Sequence, residues 1–455
     1  MTIRLQERLA ALPDSLRLIL NRLKAAGHEA YLVGGCVRDL IRGVLPGDYD
    51  VVTSAPPAEV RRLFFHTIPV GISFGVVLVI EGDDKYEVAT FRTEQDYRDG
   101  RRPARVAPAT AAEDVRRRDF TINGLLLNVE TGQILDYVGG CADIERGVVR
   151  TIGDPQLRFA EDHLRLLRAV RFAAGLDYKL ATATRQAIKD HAGEIQRISA
   201  ERIREELTKI ITRPGARRGM ELLAETGLLR LVLPEVEALI GVGQPPRFHP
   251  EGDVWEHTLV MLALLPPTVD PRLAWGALLH DVGKAVTRTV DEKGVHFYGH
   301  VQRGEEIARP LMERLRFSGA EMETVLALIH EHMLFMNVPK MRPSRLKRFL
   351  RLPDFPLHLE LHRLDCLGSH GMLDTYYFCR AKLAEIPAEE LRPPRLITGR
   401  QLIELGFKPG PLFAKILRAL EDAQLNGQVS SVEEARQLVM DHWGTANDLP
   451  NPPPR

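Results

Sequence analysis

The sequence has few cysteines and no long apolar run, and both absences narrow the class of protein. Four cysteines occur in 455 residues, and none forms a Cys-x-x-Cys pair, which fits reduced thiols rather than a disulfide framework. No uncharged apolar stretch approaches the roughly 18 residues of a membrane-spanning helix. The first 20 residues mix acids and bases with helical periodicity, unlike a signal peptide. We therefore expect a cytoplasmic protein without membrane contact.

Net charge is missing as well, because Lys plus Arg and Asp plus Glu number 61 each. No overall positive field attracts nucleic acid, so any polyanionic partner must be held by local basic patches. The chain is too long for one hydrophobic core and indicates about three or four domains. No internal repeat is found. Neither the oligomeric state nor the order of assembly follows from the sequence.

The periodicity of apolar residues changes once along the chain. Short β-like runs alternate with amphipathic helices up to about residue 148, and helical periodicity dominates afterwards. A Pro- and Gly-containing stretch at 241–253 indicates a further boundary. We predict an α+β protein with five parts: a small mixed α/β head at 1–148, an all-helical neck at 149–243, a helical body at 244–375, a helical tail at 376–445 and a disordered C-terminus at 446–455.

The stretch YLVGGCVRDLIRGVLPGDYDVVT, residues 31–53, carries two carboxylates at the start of an apolar strand. Alternate residues of a strand share a face, so Asp48 and Asp50 are predicted to point the same way with Cα atoms roughly 6.6 Å apart. Converging carboxylates repel unless a cation lies between them, and a pair of Mg²⁺ ions so held suits nucleotidyl transfer. Glu87, on another predicted strand, is the candidate third acid. A lone Asp-x-Asp pair can also be an ordinary strand entry.

Two glycines and an arginine precede these acids. Gly34 and Gly35 allow backbone amides to approach a phosphate closely, and Arg38, one turn into the next predicted helix, can neutralise it. The glycines can also simply form a tight turn. Their position just upstream of the acidic pair favours a phosphate site.

Further motifs follow in a fixed order: RRRDFTINGLLLN at 116–128, ILDYVGGCADIERGVVRTIGDP at 134–155, EDHLRLLRAVR at 161–171 and SAERIREELTKIIT at 199–212. With the first stretch, they resemble the bacterial-type (class II) tRNA nucleotidyltransferase and poly(A) polymerase family. Gly124 stands where this family usually has alanine. The resemblance covers the first half of the chain fully and the last third weakly.

This resemblance implies a nucleotidyltransferase that uses Mg²⁺, ATP, CTP and a tRNA 3′ end. It implies that Asp48 and Asp50 ligate the metals and that Gly35 and Arg38 hold the triphosphate. Arg118 would face the nucleotide, and Asp119 and Asn123 would support the ribose and the loop. The base pocket would be lined by four residues: Asp162, Arg165, Arg168 and Arg171.

The spacing within EDHLRLLRAVR supports part of that assignment. A spacing of three puts Asp162, Arg165 and Arg168 close to one face of a single predicted helix. A carboxylate acceptor beside a guanidinium donor can address the Watson–Crick edge of either C or A. A solvated salt-bridge ladder is the alternative. The segment 91–106, FRTEQDYRDGRRPARV, has no clear periodicity and is predicted to be a mobile, partly basic loop that, by resemblance, helps to switch base selection.

Histidines and acids recur in the second half of the chain. A His-Asp doublet at the end of an apolar helix is rarely a packing choice, and such donors suit a transition metal. The set resembles the HD phosphohydrolase superfamily, which implies these ligands: His257, His280, Asp281, His300, His332 and Asp365. The metal, Ni, Mn, Fe or Co, does not follow from the sequence. Spacing favours His332 over His330 as a ligand. Lys284 either binds a substrate phosphate or lies in solvent. The alternative to a metal site is a helical body whose histidines merely pack.

Basic residues cluster along the predicted neck and could contact RNA phosphates without reading sequence. They are Arg202, Arg204, Lys209, Arg213, Arg217 and Arg218, and smaller patches lie at Arg101, Arg102 and Arg105 and at Arg116 and Arg117. The tail segment 398–413 is either a tRNA elbow contact or a small helical bundle.

Full CCA addition is the favoured activity, because the EDxxR element and a long loop are both present. Poly(A) polymerase is the runner-up, and A-only and CC-only addition share the same motifs. An HD phosphohydrolase acting alone and a non-catalytic RNA-binding module are less favoured alternatives. Metal-dependent hydrolysis of 2′,3′-cyclic phosphates or 2′-nucleotides by the HD domain, with trimming of RNA ends before addition as one form of it, is a predicted accessory activity.

Overall fold

The computed structural model describes residues 2–71, 75–97, 103–247 and 249–444. The chain divides into two compact units. The first comprises Met1–Ala238, Leu265–Pro271 and Leu311–Phe317, and the second comprises Leu239–Leu264, Arg272–Pro310 and Ser318–Arg455. In the described ranges, no helix combines the length and apolar character that crossing a membrane requires. The finer division into head, neck, body and tail stays a prediction.

The first unit opens on a mixed sheet. Its strands and those beside it are β1 (Ala30–Val33), β2 (Asp50–Thr53), β3 (Thr67–Gly71), β4 (Val76–Glu81), β5 (Asp84–Thr90), β6 (Arg92–Tyr97), β7 (Pro103–Pro108), β8 (Leu125–Leu127), β9 (Ile134–Asp136), β10 (Val148–Val149) and β11 (Lys179–Leu180). The sheet runs in the order β3-β4-β5-β2-β1-β8-β9. Only its β2–β5 pair is parallel among the described pairings.

Apolar side chains fix this sheet against its helices. Val51 and Val52 of β2 and Val88 of β5 are fully buried, and β-branched residues of this kind fit a pleated surface. One cluster beneath the sheet joins strands to helix and loop residues: Val33, Val52, Phe91, Ala111, Val115 and Leu126. The central strands are therefore rigid supports for whatever their polar ends carry.

The helices of the first unit follow the sheet and extend beyond it. They are α1 (Thr2–Ala10), α2 (Asp14–Ala25), α3 (Gly35–Arg42), α4 (Pro57–Leu63), α5 (Ala111–Arg116), α6 (Gly140–Arg146), α7 (Pro155–Glu161), α8 (Arg165–Leu176), α9 (Thr182–His191), α10 (Ala200–Ile211), α11 (Ala216–Glu225), α12 (Leu229–Val232) and α13 (Pro234–Glu237). Helix α8 packs against both α10 and α11. Its Leu166, Leu167 and Val170 are fully buried there.

Residues 239–455 contribute the remaining elements. They are α14 (Val254–Ala263), α15 (Pro271–Leu279), α16 (Lys284–Thr287), β12 (Thr289–Asp291), β13 (Gly294–His296), α17 (His300–Arg314), α18 (Gly319–Glu331), α19 (Pro343–Leu350), α20 (Phe355–Gly368), α21 (Asp374–Glu385), α22 (Ala388–Leu391), α23 (Gly399–Glu404), α24 (Pro411–Leu425) and α25 (Val432–Trp443). The second unit is thus helical apart from one short hairpin.

The tail has an apolar core of its own. Ile397, Leu402, Phe407, Ile416, Leu420, Ala435 and Val439 form one cluster, and a separate cluster is centred on Phe335, Phe349 and Phe355. Arg348 of α19 binds Glu421 and Asp422 of α24, which fastens the tail to the helix before it. The small helical bundle predicted for 398–413 is present, and a tRNA contact by this segment stays a prediction.

Two local predictions were wrong. The segment 91–106 is not a structureless loop in its described parts, because β6 and β7 pair as an antiparallel hairpin; Arg101 and Arg102 lie outside the described residues, and so does the side chain of Arg105. The single helix predicted from residue 161 is broken, since α7 ends at Glu161 and Asp162 is extended at φ −142° and ψ 105°. The Asp162 carboxylate accepts a hydrogen bond from the Leu164 amide at 3.1 Å, and such local bonds compete with helix continuation.

Candidate functional sites

Three carboxylates meet at one edge of the sheet. Asp50 starts β2 and stands directly opposite Glu87 in the parallel β2–β5 register, while Asp48 lies two residues earlier, in the loop before the strand. Asp48 is therefore not a strand residue, contrary to the prediction that both acids share the strand. Burial, together with the charges of Asp48 and Glu87, raises the pKa of Asp50 to about 6, although Arg118 opposes the shift.

That raised pKa indicates that burial and the neighbouring acids disfavour the ionised form of Asp50, which a bound cation would stabilise. Asp48 and Glu87 are exposed and Asp50 is half-buried, so a hydrated ion can reach all three. Mg²⁺ prefers such oxygen donors and retains part of its water shell. These oxygen donors are of the kind that divalent magnesium prefers, and the roles of Asp48, Asp50 and Glu87 as ligands stay a prediction.

The glycine pair forms the turn between β1 and α3. Gly34 has φ +79° and precedes the first turn of α3, and a Cβ there would lie 3.8 Å from Arg118 Nη1 and 4.0 Å from Asp50 Oδ2. Left-handed backbone of this kind favours glycine. The open N-terminal amides of α3 thus lie beside the carboxylates, where an anionic group is stabilised by the helix dipole.

Arg38 and Arg118 are both held by acids. Arg38 is buried, donates to both oxygens of Asp39 at 3.0 Å, and donates to Asn123 Oδ1 at 2.8 Å. Arg118 donates through Nε and Nη2 to Asp114 Oδ2 at 3.2 and 3.0 Å. These bidentate contacts fix the planes of both guanidinium groups at the site.

Asp114 is a site residue that the sequence reasoning missed. Its side chain is fully buried and also receives Arg117 at 2.7 and 2.9 Å. Burial raises the pKa of the carboxyl, but the charges of Arg118 and Arg117 outweigh this effect and hold the pKa below its ordinary value. The spacing of Asp114 to Arg117 and Arg118, three and four residues on a helix, is the signal that could have found it.

Asp119, Asn123 and Arg168 form one buried network. Asp119 accepts from Asn123 Nδ2 at 3.2 Å and from Arg168 Nε at 2.9 Å. Burial raises the pKa of Asp119, but the charge and hydrogen bonds of the Arg168 guanidinium outweigh this effect and lower the pKa to about 2. Both oxygens of Asp119 are thus occupied by protein donors, because Oδ1 accepts from Asn123 and from the Phe120 amide and Oδ2 accepts from Arg168. Asp119 and Asn123 can therefore orient the segment 119–123 that contains them.

The other predicted base-pocket residues do not form one ladder. Arg165 is buried and donates to Glu161 Oε2 at 2.6 Å and to the Arg117 carbonyl at 3.2 Å. Asp162 Oδ2 lies 3.2 Å from Nη2 of Arg202 on α10. Arg171 Nε lies 3.0 Å from Glu206 Oε2. The shared helical face was a wrong prediction, because the break at Asp162 turns this carboxylate towards the neck.

Most of the predicted RNA-contacting cations are already paired. Lys209 lies 3.6 Å from Glu206, Arg217 lies 3.0 Å from Glu221, and Arg218 lies 2.7 Å from Glu225. The guanidinium carbon of Arg204 lies 5.4 Å from the centroid of the Phe317 ring. Arg213 is exposed, and no acidic partner is found for it within the described part of the chain. Its positive charge is the least compensated of the six.

The second unit brings all six predicted metal-binding residues together. Donor atoms of His257, His280 and Asp365 lie within 4.8 Å of one another, and so do those of Asp281, His300 and His332. His280 Nε2 is 3.1 Å from Asp281 Oδ2, and His257 Nε2 is 3.2 Å from Asp365 Oδ1. His330 points elsewhere, to Glu305. Asp281, 3% exposed, lies between the two groups.

The orientation of the imidazoles is the strongest sign of a metal centre. Nδ1 of His280, His300 and His332 lies 3.0, 2.8 and 2.7 Å from a backbone carbonyl oxygen, to which it can only donate. Nε2 of these rings and of His257 is buried and has no hydrogen-bond partner among the described residues. A ring that donates through Nδ1 to a carbonyl presents the lone pair of Nε2 inward when it is uncharged, as burial favours for His300 and His332 by lowering their pKa, and such lone pairs suit a divalent transition metal. The residues therefore fit such an ion.

Two neighbours of this centre, Glu251 and Gln244, were not assigned from the sequence. Glu251 Oε1 lies 2.8 Å from His257 Nδ1; burial lowers the pKa of His257, but Asp365 and Glu251 raise it to about 10. Lys284 Nζ lies 2.7 Å from Asp281 Oδ2 and 2.7 Å from Gln244 Oε1. Lys284 is 7% exposed, so the prediction that it could lie in solvent was wrong.

Three family models match the chain. Residues 30–150 match the family model of the poly A polymerase head domain, 177–240 match that of the probable RNA and SrmB-binding site of polymerase A, and 254–355 match that of the HD domain. The CCA-adding enzyme of Streptococcus thermophilus is 32% identical over 426 residues, which cover 92% of this chain and 94% of that protein. The A-adding tRNA nucleotidyltransferase of Deinococcus radiodurans is 33% identical over 428 residues, 90% and 94% of the two chains.

Solved structures agree with these relatives. The crystal structure of the Bacillus stearothermophilus CCA-adding enzyme in complex with CTP has a TM-score of 0.72 and 28% identity and covers 97% of this chain and 98% of that one. The Thermotoga maritima CCA-adding enzyme complexed with tRNA, at 18% identity and a TM-score of 0.59, covers 96% and 98% and shares the fold. The chain belongs to the family of tRNA nucleotidyltransferases that contains the CCA-adding and A-adding enzymes.

Proposed function

We propose that this protein adds CCA to the 3′ end of tRNA from CTP and ATP without a nucleic-acid template. The observation that carries the proposal is the direct pairing of Asp50 with Glu87 beside the Gly34–Arg38 turn. In each step the terminal hydroxyl of the tRNA attacks the α-phosphorus. The bond between the α- and β-phosphates breaks, pyrophosphate leaves, and the hydroxyl proton is lost to solvent.

Each group of the head has a defined part in this reaction. Asp48 and Asp50 hold Mg²⁺, which when bound supplies positive charge to the attacking and leaving oxygens. Gly35, at the N-terminus of α3, and Arg38 bind the triphosphate, and Arg118 faces the nucleotide from its place on Asp114. The protein thus acts by positioning and by fixed charge, the main sources of catalysis in phosphoryl transfer.

Base selection is assigned to the start of α8. Asp162 and Arg165 offer an acceptor and a donor of the kind that C and A both require, and Arg168 and Arg171 follow on the same helix. Arg165 is tied to the carbonyl of Arg117, so the base-reading segment and the RRRD segment are mechanically linked. This link supports one pocket that reads the base while Arg118 reads the phosphates.

The product decides between this activity and its alternatives. Sequencing the 3′ ends made from tRNA lacking CCA, with CTP and ATP supplied, is expected to give CCA and no longer extension. Incorporation of A only, and only onto a tRNA ending in CC, would assign the activity of the Deinococcus relative instead. A long A tract would identify a poly(A) polymerase, and CC ends would identify a CC-adding enzyme.

The neck is proposed to contact tRNA phosphates, and Arg213 gives the sharpest test. Arg213→Glu is expected to weaken tRNA binding about tenfold, whereas Arg218→Glu, which replaces a charge already paired with Glu225, is expected to change it less. The ratio of C to A incorporated should stay constant in both variants. Filter binding at two salt concentrations measures the affinities, and an altered ratio in the Arg213 variant would contradict a phosphate contact.

A second function is favoured by the four inward-facing imidazoles of the second unit. We propose a metal-dependent phosphohydrolase that acts on 2′,3′-cyclic phosphates or 2′-nucleotides, with His257, His280, Asp281 and Asp365 as core ligands and His300 and His332 as additional ones. The ion, of the Ni, Mn, Fe or Co class, when bound supplies an activated water for attack on phosphorus. This activity is independent of nucleotide addition.

Asp281→Asn separates the two activities. The variant is expected to lose tightly bound transition metal and the hydrolysis of 2′,3′-cyclic AMP, because Asp281 lies between both groups of ligands. Nucleotide addition to tRNA should stay within about twofold of the parent, since the carboxylate cluster lies in the other unit. Elemental analysis measures the metal directly. Unchanged metal content in the variant would refute this site.

A further inference from the structure

Three guanidinium groups surround one aromatic ring in the first unit. The ring is that of Phe172 on α8, and the guanidinium carbons of Arg38, Arg168 and Arg171 lie 5.5, 5.4 and 4.5 Å from its centroid. Phe120 packs edge-on against the same ring at 5.7 Å. A cation over the face of an aromatic ring, within about 6 Å of its centroid, is attracted by the negative charge of that face. One side chain therefore contacts cations from two different helices, α3 and α8.

This gathering of like charge needs compensation. Each arginine has its own acid: Arg38 binds Asp39, Arg168 binds Asp119, and Arg171 lies beside Glu206. Burial and the neighbouring charge of Arg168 lower the pKa of Arg171 to about 10, although Glu206 opposes them. The environment thus disfavours the positive charge of Arg171. The Phe172 ring is the contact that all three arginines share.

A hydrogen-bonded chain runs alongside the ring. Arg38 donates to Asn123 at 2.8 Å, Asn123 donates to Asp119 at 3.2 Å, and Arg168 donates to Asp119 at 2.9 Å. Phe172 lies four residues after Arg168 and so covers the same face of α8. Both the polar chain and the ring therefore join the triphosphate-binding Arg38 to the helix that begins with the base-reading residues.

We propose that Phe172 is a positioning residue for triphosphate binding, which holds the Arg38 guanidinium in place from α8. The proposal rests on the proposed function, because it takes Arg38 as a ligand of the nucleotide triphosphate. Phe172 touches no reacting atom in this assignment. It acts through Arg38, and CTP and ATP carry the same triphosphate, so its loss lowers the affinity for both alike. An unequal loss would assign its effect to Arg168 and Arg171, the other two cations at the ring, and would refute the proposal.

Phe172→Met tests this role, because methionine keeps much of the volume but has no ring. The variant is expected to raise the KM for both CTP and ATP about tenfold, with kcat within about threefold of the parent. Phe172→Tyr, which keeps the ring, is expected to restore the parental KM. Phe64→Leu is the matched control: Phe64 is buried at 2% exposure and carries the single guanidinium of Arg22 at 5.5 Å, so its loss should lower the melting temperature without raising KM.

A double substitution shows whether the effect passes through Arg38. In an Arg38→Lys background, Phe172→Met is expected to raise KM no more than about twofold further, since the group that it positions is already lost. Full additivity of the two changes, or a rise in KM as large for Phe64→Leu, would refute the positioning role and leave a packing role. If Phe172→Met unfolds at the assay temperature, the Arg38→Lys and Phe172→Tyr variants are measured at a lower temperature. In that case, a change in KM that differs between CTP and ATP in Phe172→Tyr would refute the positioning role.

Direct binding keeps this test separate from the proposed function. Equilibrium dialysis of labelled CTP against the full-length protein measures affinity without tRNA. If the parent protein binds CTP but extends no tRNA, the proposed function fails while the Phe172 comparison can still be made. If the parent extends tRNA and Phe172→Met binds CTP as tightly as the parent, the Phe172 proposal alone fails.

Discussion

Asp50→Asn is expected to lower the rate of nucleotide addition by at least about a thousandfold while leaving the metal-free protein as heat-resistant as the parent. The rate falls because Asp50 is the central acid of the cluster, and several kcal/mol of charge stabilisation at phosphorus depend on the cation that it holds. Stability is kept because burial and the charges of Asp48 and Glu87 disfavour the ionised Asp50 carboxylate, as its raised pKa shows. Asparagine removes that repulsion and preserves the shape.

Incorporation of labelled CMP and calorimetry in the presence of a chelator measure these two effects. Asp83→Asn is the control, since Asp83 is an exposed acid in the turn between β4 and β5 of the same sheet. The rate of nucleotide addition by this variant should stay within about twofold of that of the parent. A melting temperature of Asp50→Asn several degrees below that of the parent would show that the carboxylate has structural partners. Substantial residual activity would remove Asp50 from the metal site.

Asp114→Ala is expected to lower the free energy of unfolding by about 2–4 kcal/mol at neutral pH and also to raise the KM for nucleotides. The change leaves Arg117 and Arg118 without their shared carboxylate, and breaking a buried ion pair is costly, although both arginines retain some solvent contact. Arg118 then loses the acid that aims it at the nucleotide. Denaturant unfolding and steady-state kinetics measure the two effects.

The pH dependence of this loss has a definite sign. The pKa of Asp114 is lower in the folded protein than in the unfolded chain, so its contribution is complete above the ordinary carboxyl range near pH 4 and disappears as the pH falls through the folded value. The parent and Asp114→Ala should therefore converge in stability under acid. Equal differences at pH 7 and at pH 3 would contradict the ionised pair.

Asp143→Ala separates stability from activity in the same comparison. Asp143 is also a buried acid of the first unit and accepts from Arg150 at 3.0 Å and from Thr121 at 2.7 Å. Its removal is expected to destabilise the protein, but no guanidinium assigned to the nucleotide is released. If both variants raise the nucleotide KM equally, the effect of Asp114 on KM is a general consequence of lower stability.

Local patterns were sufficient where the site is built from neighbours in sequence. The strand, turn and helix that carry Gly34, Arg38 and Asp50 follow from apolar runs and glycine, and the family resemblance that they support is confirmed by relatives covering over nine-tenths of the chain. The strand that carries Glu87 was predicted for the same reason, and the catalytic role of Glu87 stays a prediction. The mixed head followed by helices is confirmed by the solved CTP complex of the Bacillus relative.

Patterns failed where a distant partner decides the conformation. Asp162 leaves the helix because its own side chain bonds the Leu164 amide and because Arg202, 40 residues away, takes its other oxygen. Helical spacing alone contains neither fact. The imidazole orientations at the second site are local, because each Nδ1 contacts a carbonyl three residues earlier, at Ala277, Phe297 or Ile329. What the spacing does not contain is the convergence of these rings with Asp281 and Asp365, which requires the packing of several helices.

The parallel β2–β5 register has an evolutionary consequence. Asp50 and Glu87 are brought together by backbone hydrogen bonds between strands, and the 36 intervening residues lie on a separate excursion through α4, β3 and β4. The turn at Gly82 and Asp83 is open, with nothing within 4 Å of a Cβ added at Gly82. Insertions or deletions there alter the length of the chain and not the spacing of the acids. The excursion can therefore diverge among descendants while the reaction centre keeps its geometry.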